Sequence, residues 1–163
     1  MHKDNPRHGG ARITIYTDGA AKGNPGRAGW AAVFIVGKKV FEIGGNAGHA
    51  TNNIMELTAP IEAMRYVKNN FPHVRHVEII SDSKYVILGI TEWIHGWIQK
   101  KWRNAARKPV VNRELWEELY KLNKEIKPKW TYIKGHNENK WNERADVIAS
   151  SFADGEPVKL HAR

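Results

Sequence analysis

Two apolar runs in this chain each end on an aspartate. Ile13-Thr14-Ile15-Tyr16-Thr17 leads into Asp18, and Val77-Glu78-Ile79-Ile80-Ser81 leads into Asp82. Short runs of this kind read as strands buried on both faces, and such strands belong to sheets covered by helices. In an α/β sheet the carboxyl ends of neighbouring strands open onto one crevice. Glu56 lies early in one helical pattern and Asp146 just inside another, so both can join the two strand ends. Like charges held together repel unless a cation sits between them. Oxygen ligands in a chain with no cysteine point to Mg²⁺, with Mn²⁺ possible.

Composition narrows the partner. The chain has 163 residues, which suits one domain with one sizeable core. Its 26 Lys and Arg against 17 Asp and Glu leave a formal charge of +9, so a polyanion is expected, nucleic acid ahead of membrane. No apolar run approaches a membrane span, the first residues lack the apolar core of a signal peptide, and no disulfide is possible. A cytoplasmic monomer is the expectation.

Along the chain, residues 1–11 read as a flexible leader, 12–151 as the domain and 152–163 as a tail. A strand over 12–18 precedes a Gly-rich loop from Ala20 to Gly29 that contains Gly23-Asn24-Pro25-Gly26. Strands over 30–36 and 39–44 flank a tight turn at Gly37-Lys38. Thr51-Asn52-Asn53 offers helix caps before Ile54, Leu57, Ile61, Met64 and Val67 at helical spacing. Pro60 should bend that helix without breaking it. A strand over Val74–Ser81, helices over 83–88, Thr91–Lys101 and 113–126, a strand over Trp130–Ile133 and a helix over Glu143–Ser151 follow. A hairpin followed by alternating strands and helices implies a mixed sheet.

The series Thr17-Asp18-Gly19, Gly23-Asn24-Pro25-Gly26 and Thr51-Asn52-Asn53-Ile54-Met55-Glu56-Leu57 continues in register. Next come Ser81-Asp82-Ser83-Lys84-Tyr85-Val86, Lys134-Gly135-His136 and Asn142-Glu143-Arg144-Ala145-Asp146. Together these motifs resemble type 1 ribonuclease H, over residues 13 to about 151. The resemblance implies an α/β fold with a five-stranded mixed sheet, order 3-2-1-4-5, and helices on both faces. It implies an endonuclease that hydrolyses the RNA strand of RNA/DNA hybrids with two Mg²⁺ ions, little sequence preference, and 5′-phosphate and 3′-hydroxyl products. Metal ligation falls to Asp18, Glu56, Asp82 and Asp146, and proton handling to His136. Asn24, Thr51 and Asn52 match positions that hold a phosphate of the DNA strand. Asn53 and Gln99 match minor-groove contacts. Trp93 and Trp116 match positions along the DNA sugar-phosphate path, and Lys100, Lys101, Arg103, Arg107 and Lys108 match a basic protrusion.

Each residue also has a plainer reading. Asp82 could cap the helix that starts at Ser83, and Thr51 and Asn52 could be caps alone. Asp146 could pair with Arg144 or Lys140 on the surface, where such pairs contribute little. The basic stretch could be a solvated face, and tryptophans at i, i+4 are often core. The loop after His136 reads Asn137-Glu138-Asn139-Lys140-Trp141, without the second glycine common in relatives. Rival functions are a DNA nuclease or strand-transferase on the same fold, and a non-catalytic hybrid-binding module.

Overall fold

The computed structural model describes residues 12–135 and 138–163. Strands β1 (Arg12–Lys22), β2 (Gly26–Val36) and β3 (Lys39–Ala50) form an antiparallel meander. Helix α1 (Asn52–Asn70) leads to β4 (His76–Ser81), which returns parallel to β1. Helix α2 (Lys84–Leu88), a π-helical turn (Gly89–Trp93) and α3 (Ile94–Gln99) follow without a break. A basic loop joins them to α4 (Arg113–Ile126), β5 (Lys129–Tyr132) and α5 (Lys140–Asp154). The sheet order is β3-β2-β1-β4-β5, as the resemblance implied.

Strand alternation divides the core between two layers. Ile13, Ile15, Ala32 and Phe34 face α1 and α4, packing on Leu57, Ile61, Met64 and Leu119. Ala31 and Val33, one residue out of phase, face α5 and pack on Ala145, Ile148 and Ala149. Among the described residues, no helix is long and apolar enough to cross a membrane.

Several boundaries depart from the sequence expectation. Ala20 to Gly29 is not a loop: β1 continues to Lys22, β2 starts at Gly26, and only residues 23–25 turn. Its glycines mark close approaches. A Cβ on Gly19 would lie 2.4 Å from the Met55 carbonyl carbon, and one on Gly29 would lie 2.3 Å from the Ala149 oxygen. β3 likewise runs on to Ala50, and β4 starts at His76, not Val74. α1 is uninterrupted across the buried Pro60. α5 begins three residues early because Asn139 caps it, its Oδ1 accepting from the N–H groups of Trp141 and Asn142 at 3.0 Å. It ends at Gly155, whose φ of +80° is left-handed. The expected tail is partly docked: Val158 and Leu160 pack against the α5 layer. The leader, residues 1–11, lies outside the described residues.

Candidate active site

Register accounts for the first two carboxylates. Thr17 of β1 pairs with Ser81 of β4 in the parallel ladder, so the next residues, Asp18 and Asp82, emerge side by side. Glu56 arrives from α1, the N-terminal part of which lies directly on Gly19. A Cβ there would come within 2.5 Å of the Glu56 nitrogen, so the missing side chain is what lets the helix sit this low. The result is a cluster in which carboxylate oxygens of Asp18, Glu56 and Asp82 all lie within 4.8 Å of one another. Asp146, exposed on α5, reaches the same place and shares a hydrogen bond with Asp18.

The cluster's electrostatics follow from this crowding. Asp18 is 5% exposed. Burial, then the charges of Asp82 and Asp146, then the hydrogen bond with Asp146 raise its pKa from 3.8 to about 8. Burial first, and then Asp18 and Asp82, hold Glu56 well above its ordinary value. Hydrogen bonds involving the Gly19 backbone oppose both shifts. Burial and mutual repulsion disfavour the charged forms of these carboxylates, and a cation held between them would offset that repulsion. The donor set is oxygen-only, which fits hard divalent ions.

The plainer roles are filled by other groups. Ser83 Oγ caps α2, accepting from Val86 N–H at 3.2 Å, and Ser81 Oγ accepts from Ser83 N–H at 3.0 Å. Capping therefore does not account for Asp82. Arg144 binds Glu42, not Asp146. Gly135 runs beside the cluster, where a Cβ would stand 3.2 Å from Asp82 Oδ2. His136 itself lies outside the described residues.

The structure gathers Asn24, Thr51 and Asn52. Asn52 N–H donates to Asn24 Oδ1 at 3.0 Å, and Ala21 N–H donates to Asn52 Oδ1 at 2.8 Å. Thr51 Oγ1 accepts from Ile54 N–H at 3.1 Å, so Thr51 does cap α1. Both asparagine amide oxygens are thus engaged within the protein, and what each amide retains is its pair of N–H donors. Exposed donors in a row suit an anion. Asn53 is exposed beside them.

The aromatic residues separate into surface and support. Trp93, on the π-helical turn, is 40% exposed. Trp116 is fully buried, which corrects its expected place on the nucleic-acid path. Its indole N–H donates to Tyr85 Oη at 3.1 Å, and its ring lies against Gly89, where a Cβ would come within 2.0 Å. Tyr85 in turn stacks edge-on to Trp93, with centroids 6.3 Å apart. Trp116 therefore acts beneath the surface, as the support for Tyr85 and the turn. Lys100, Lys101, Arg103, Arg107 and Lys108 are all exposed on the loop that follows. That loop has its own order: Asn104 Oδ1 accepts from the N–H groups of Ala106 and Lys108, and Arg103 Nη1 donates to the Arg107 carbonyl. Sequence reasoning missed the supporting roles of Gly19, Tyr85 and the Glu42–Arg144 pair, because each depends on a contact distant in sequence.

A family model described as RNase H matches residues 10–154. A protein named Ribonuclease H from Erythrobacter litoralis is 46% identical over 143 residues, covering 88% of this chain and 96% of its own. One of the same name from Thermosynechococcus vestitus is 44% identical over 147 residues, 90% of this chain and 91% of its own. Among solved structures, LC9-RNase H1, a type 1 enzyme with the type 2 active-site motif, shares the fold with a TM-score of 0.80 at 24% identity, covering 94% of this chain and 78% of its own. LC11-RNase H1 in complex with an RNA/DNA hybrid superposes with a TM-score of 0.68 at 25% identity, covering 88% of this chain and 98% of its own.

Proposed function

This chain belongs to the ribonuclease H family and is an endonuclease for the RNA strand of RNA/DNA hybrids, and we propose that it works with two Mg²⁺ ions held by Asp18, Glu56, Asp82 and Asp146. The observation that carries the reading is the convergence of three of these carboxylates within 4.8 Å, with Asp146 hydrogen-bonded to Asp18. When bound, two such ions favour in-line attack of water at phosphorus and stabilise the departing oxygen. Asp18, 5% exposed, lies within reach of Glu56, Asp82 and Asp146. His136 moves a proton at the attacking or leaving oxygen. An imidazole titrating near neutrality suits that task.

Substrate placement belongs to two other surfaces. Asn24, Thr51 and Asn52 donate to a phosphate of the DNA strand, and Asn53 and Gln99 touch the minor groove. Trp93 packs on the sugar-phosphate path, and Lys100, Lys101, Arg103, Arg107 and Lys108 bind phosphates. Contacts of this kind read backbone shape and the 2′-hydroxyl, so sequence preference is small. The enzyme acts as a cytoplasmic monomer. The test is cleavage of end-labelled hybrid, double-stranded RNA and double-stranded DNA, with Mg²⁺ or with chelator. The expected result is cutting of the hybrid's RNA strand alone, only with Mg²⁺, giving 5′-phosphate and 3′-hydroxyl ends. Cutting of the DNA strand, or cutting with chelator present, would overturn the reading.

A further inference from the structure

Arg144 stands two residues before Asp146 on α5, yet it faces away from the carboxylate cluster. At about 100° per residue the two side chains leave the helix roughly 200° apart. Arg144 grips the edge strand β3: Nε donates to Glu42 Oε2 at 2.7 Å and Nη2 to Glu42 Oε1 at 3.0 Å. The Glu42 side chain is 1% exposed. A strap made by residues 158–161 completes the enclosure. Glu42 and His161 exchange bonds, Glu42 N–H donating to the His161 carbonyl and His161 N–H to Glu42 Oε1, both at 2.9 Å. Arg144 Nη2 also donates to the Lys159 carbonyl at 3.0 Å, and Val158 N–H to Ser151 Oγ at 3.1 Å.

Stability alone is a weak reason for this arrangement. A buried ion pair is often no more stabilising than apolar residues of the same volume, whereas a forked arginine–carboxylate pair fixes orientation. Orientation is what α5 needs. Its buried face sets the small residues Ala145 and Ala149, with Ile148, against Ala31 and Val33, and Trp141 and Phe152 pack at its two ends. These apolar contacts carry no directional bond, so the forked pair is the contact that fixes roll most sharply. A roll of about 10° moves an atom at a radius of about 5 Å by about 1 Å. A working site tolerates displacements of only about 0.5 Å.

We propose that the Glu42–Arg144 clasp and the 158–161 strap are positioning elements for Asp146, setting the roll of α5 and through it the divalent-cation affinity of the site. The proposal rests on the reading of Asp146 as a ligand. It is tested by calorimetric titration of Mg²⁺ into the full chain without nucleic acid, alongside steady-state cleavage of hybrid. The variants are Arg144→Gln, Arg144→Lys, which keeps the charge but loses the fork, and His161→Pro, which removes the strap's N–H. Val67→Ala, in α1 on the opposite layer, is the stability control, and Asp146→Asn checks the underlying reading. Each clasp variant should lose about 5-fold or more in Mg²⁺ affinity, the lower end of ordinary coupling between sites. KM for hybrid should stay unchanged, and kcat should recover at saturating Mg²⁺. Val67→Ala should melt earlier yet bind Mg²⁺ normally. Unchanged Mg²⁺ affinity in the clasp variants, with melting lowered as in the control, makes the clasp a stabiliser only and overturns the proposal. If Asp146→Asn leaves Mg²⁺ affinity unchanged, the ligand reading itself fails. If Arg144→Gln does not fold, Arg144→Lys and His161→Pro decide by the same criteria.

Discussion

At the scale of residues, Asp18 is the most informative side chain. Its pKa is raised on folding from 3.8 to about 8, so the folded protein keeps a proton that the unfolded chain has lost. The sign follows from linkage: stability falls with pH wherever the folded state binds more protons. Cation-free protein should therefore lose stability steadily from about pH 4 to about pH 8. Glu42 has the opposite shift. Burial works against it, but the Arg144 hydrogen bonds, the His161 N–H and the Arg144 charge hold its carboxyl below 4.5, so its contribution is lost only in more acidic solution. Thermal melting in chelator should show a downward slope between pH 5 and pH 8. Asp18→Asn should flatten that slope, melt above the wild type at pH 8 and show no cleavage. A variant less stable than wild type at pH 8 would mark Asp18 as a structural residue. The tryptophans make a second pair of tests. Trp116→Phe should cost about 1–3 kcal/mol of stability through removal of the Tyr85 bond and the cavity by Gly89, with hybrid affinity retained. Trp93→Ala should leave melting nearly unchanged and weaken hybrid binding by about 1 kcal/mol. Equal effects on binding would remove the distinction between surface and support. Both tryptophans are legible in the sequence, but their difference is not. Burial of Trp116 is decided by a glycine 27 positions away, Gly89, and by the hydroxyl of Tyr85.

At the scale of elements, the sequence carries types well and ends less well. α4 has the bounds expected, 113–126, because its apolar face is strongly periodic and its limits are sharp: Asn112 and Lys127 both stand at left-handed φ. β1 and β2 run longer than expected because Gly19, Gly26 and Gly29 look like loop residues. Their role is to let helices and strands approach, and that contact cannot be read along one strand. The helices expected at 83–88 and 91–101 are continuous, joined by the π-helical turn that carries Trp93. One wide turn preserves the backbone ladder while shifting the phase of the side chains, a device often found at functional sites. Gly19→Ala tests the packing of α1. Its new Cβ would meet backbone, which cannot rotate away, so α1 must lift and carry Glu56 with it. We expect a loss of about 1–3 kcal/mol in stability, together with weaker Mg²⁺ binding by calorimetry. Normal Mg²⁺ affinity would show that Glu56 reaches the site without this close approach.

At the scale of the whole molecule, charge and topology act separately. The +9 excess is carried in part by five exposed cations on the 100–108 loop, in a protein whose carboxylate cluster is acidic. Replacing Lys100, Lys101, Arg103, Arg107 and Lys108 with glutamine should weaken hybrid binding much more than turnover at saturation. Each phosphate that the variant no longer neutralises should lower the slope of log affinity against log salt by about 0.9. Titrations in Ca²⁺ at several salt concentrations measure this, and an unchanged slope would reduce the loop to a solvated face. That the sheet is mixed is legible from the alternation of strands and helices, whereas its order follows only from the family resemblance. The docking of 158–161 is not legible, because Glu42 gives no hint in sequence that it awaits a residue more than a hundred positions later. The same long reach governs the candidate site: its carboxylates stand on β1, on α1, just past the end of β4 and on α5, the first and last elements of the described fold included. During synthesis on the ribosome, a nascent chain that has folded its first three carboxylates still lacks the fourth. On the proposed ligand set, a chain released before α5 should neither bind Mg²⁺ normally nor cut hybrid, so activity waits on the last element to be made.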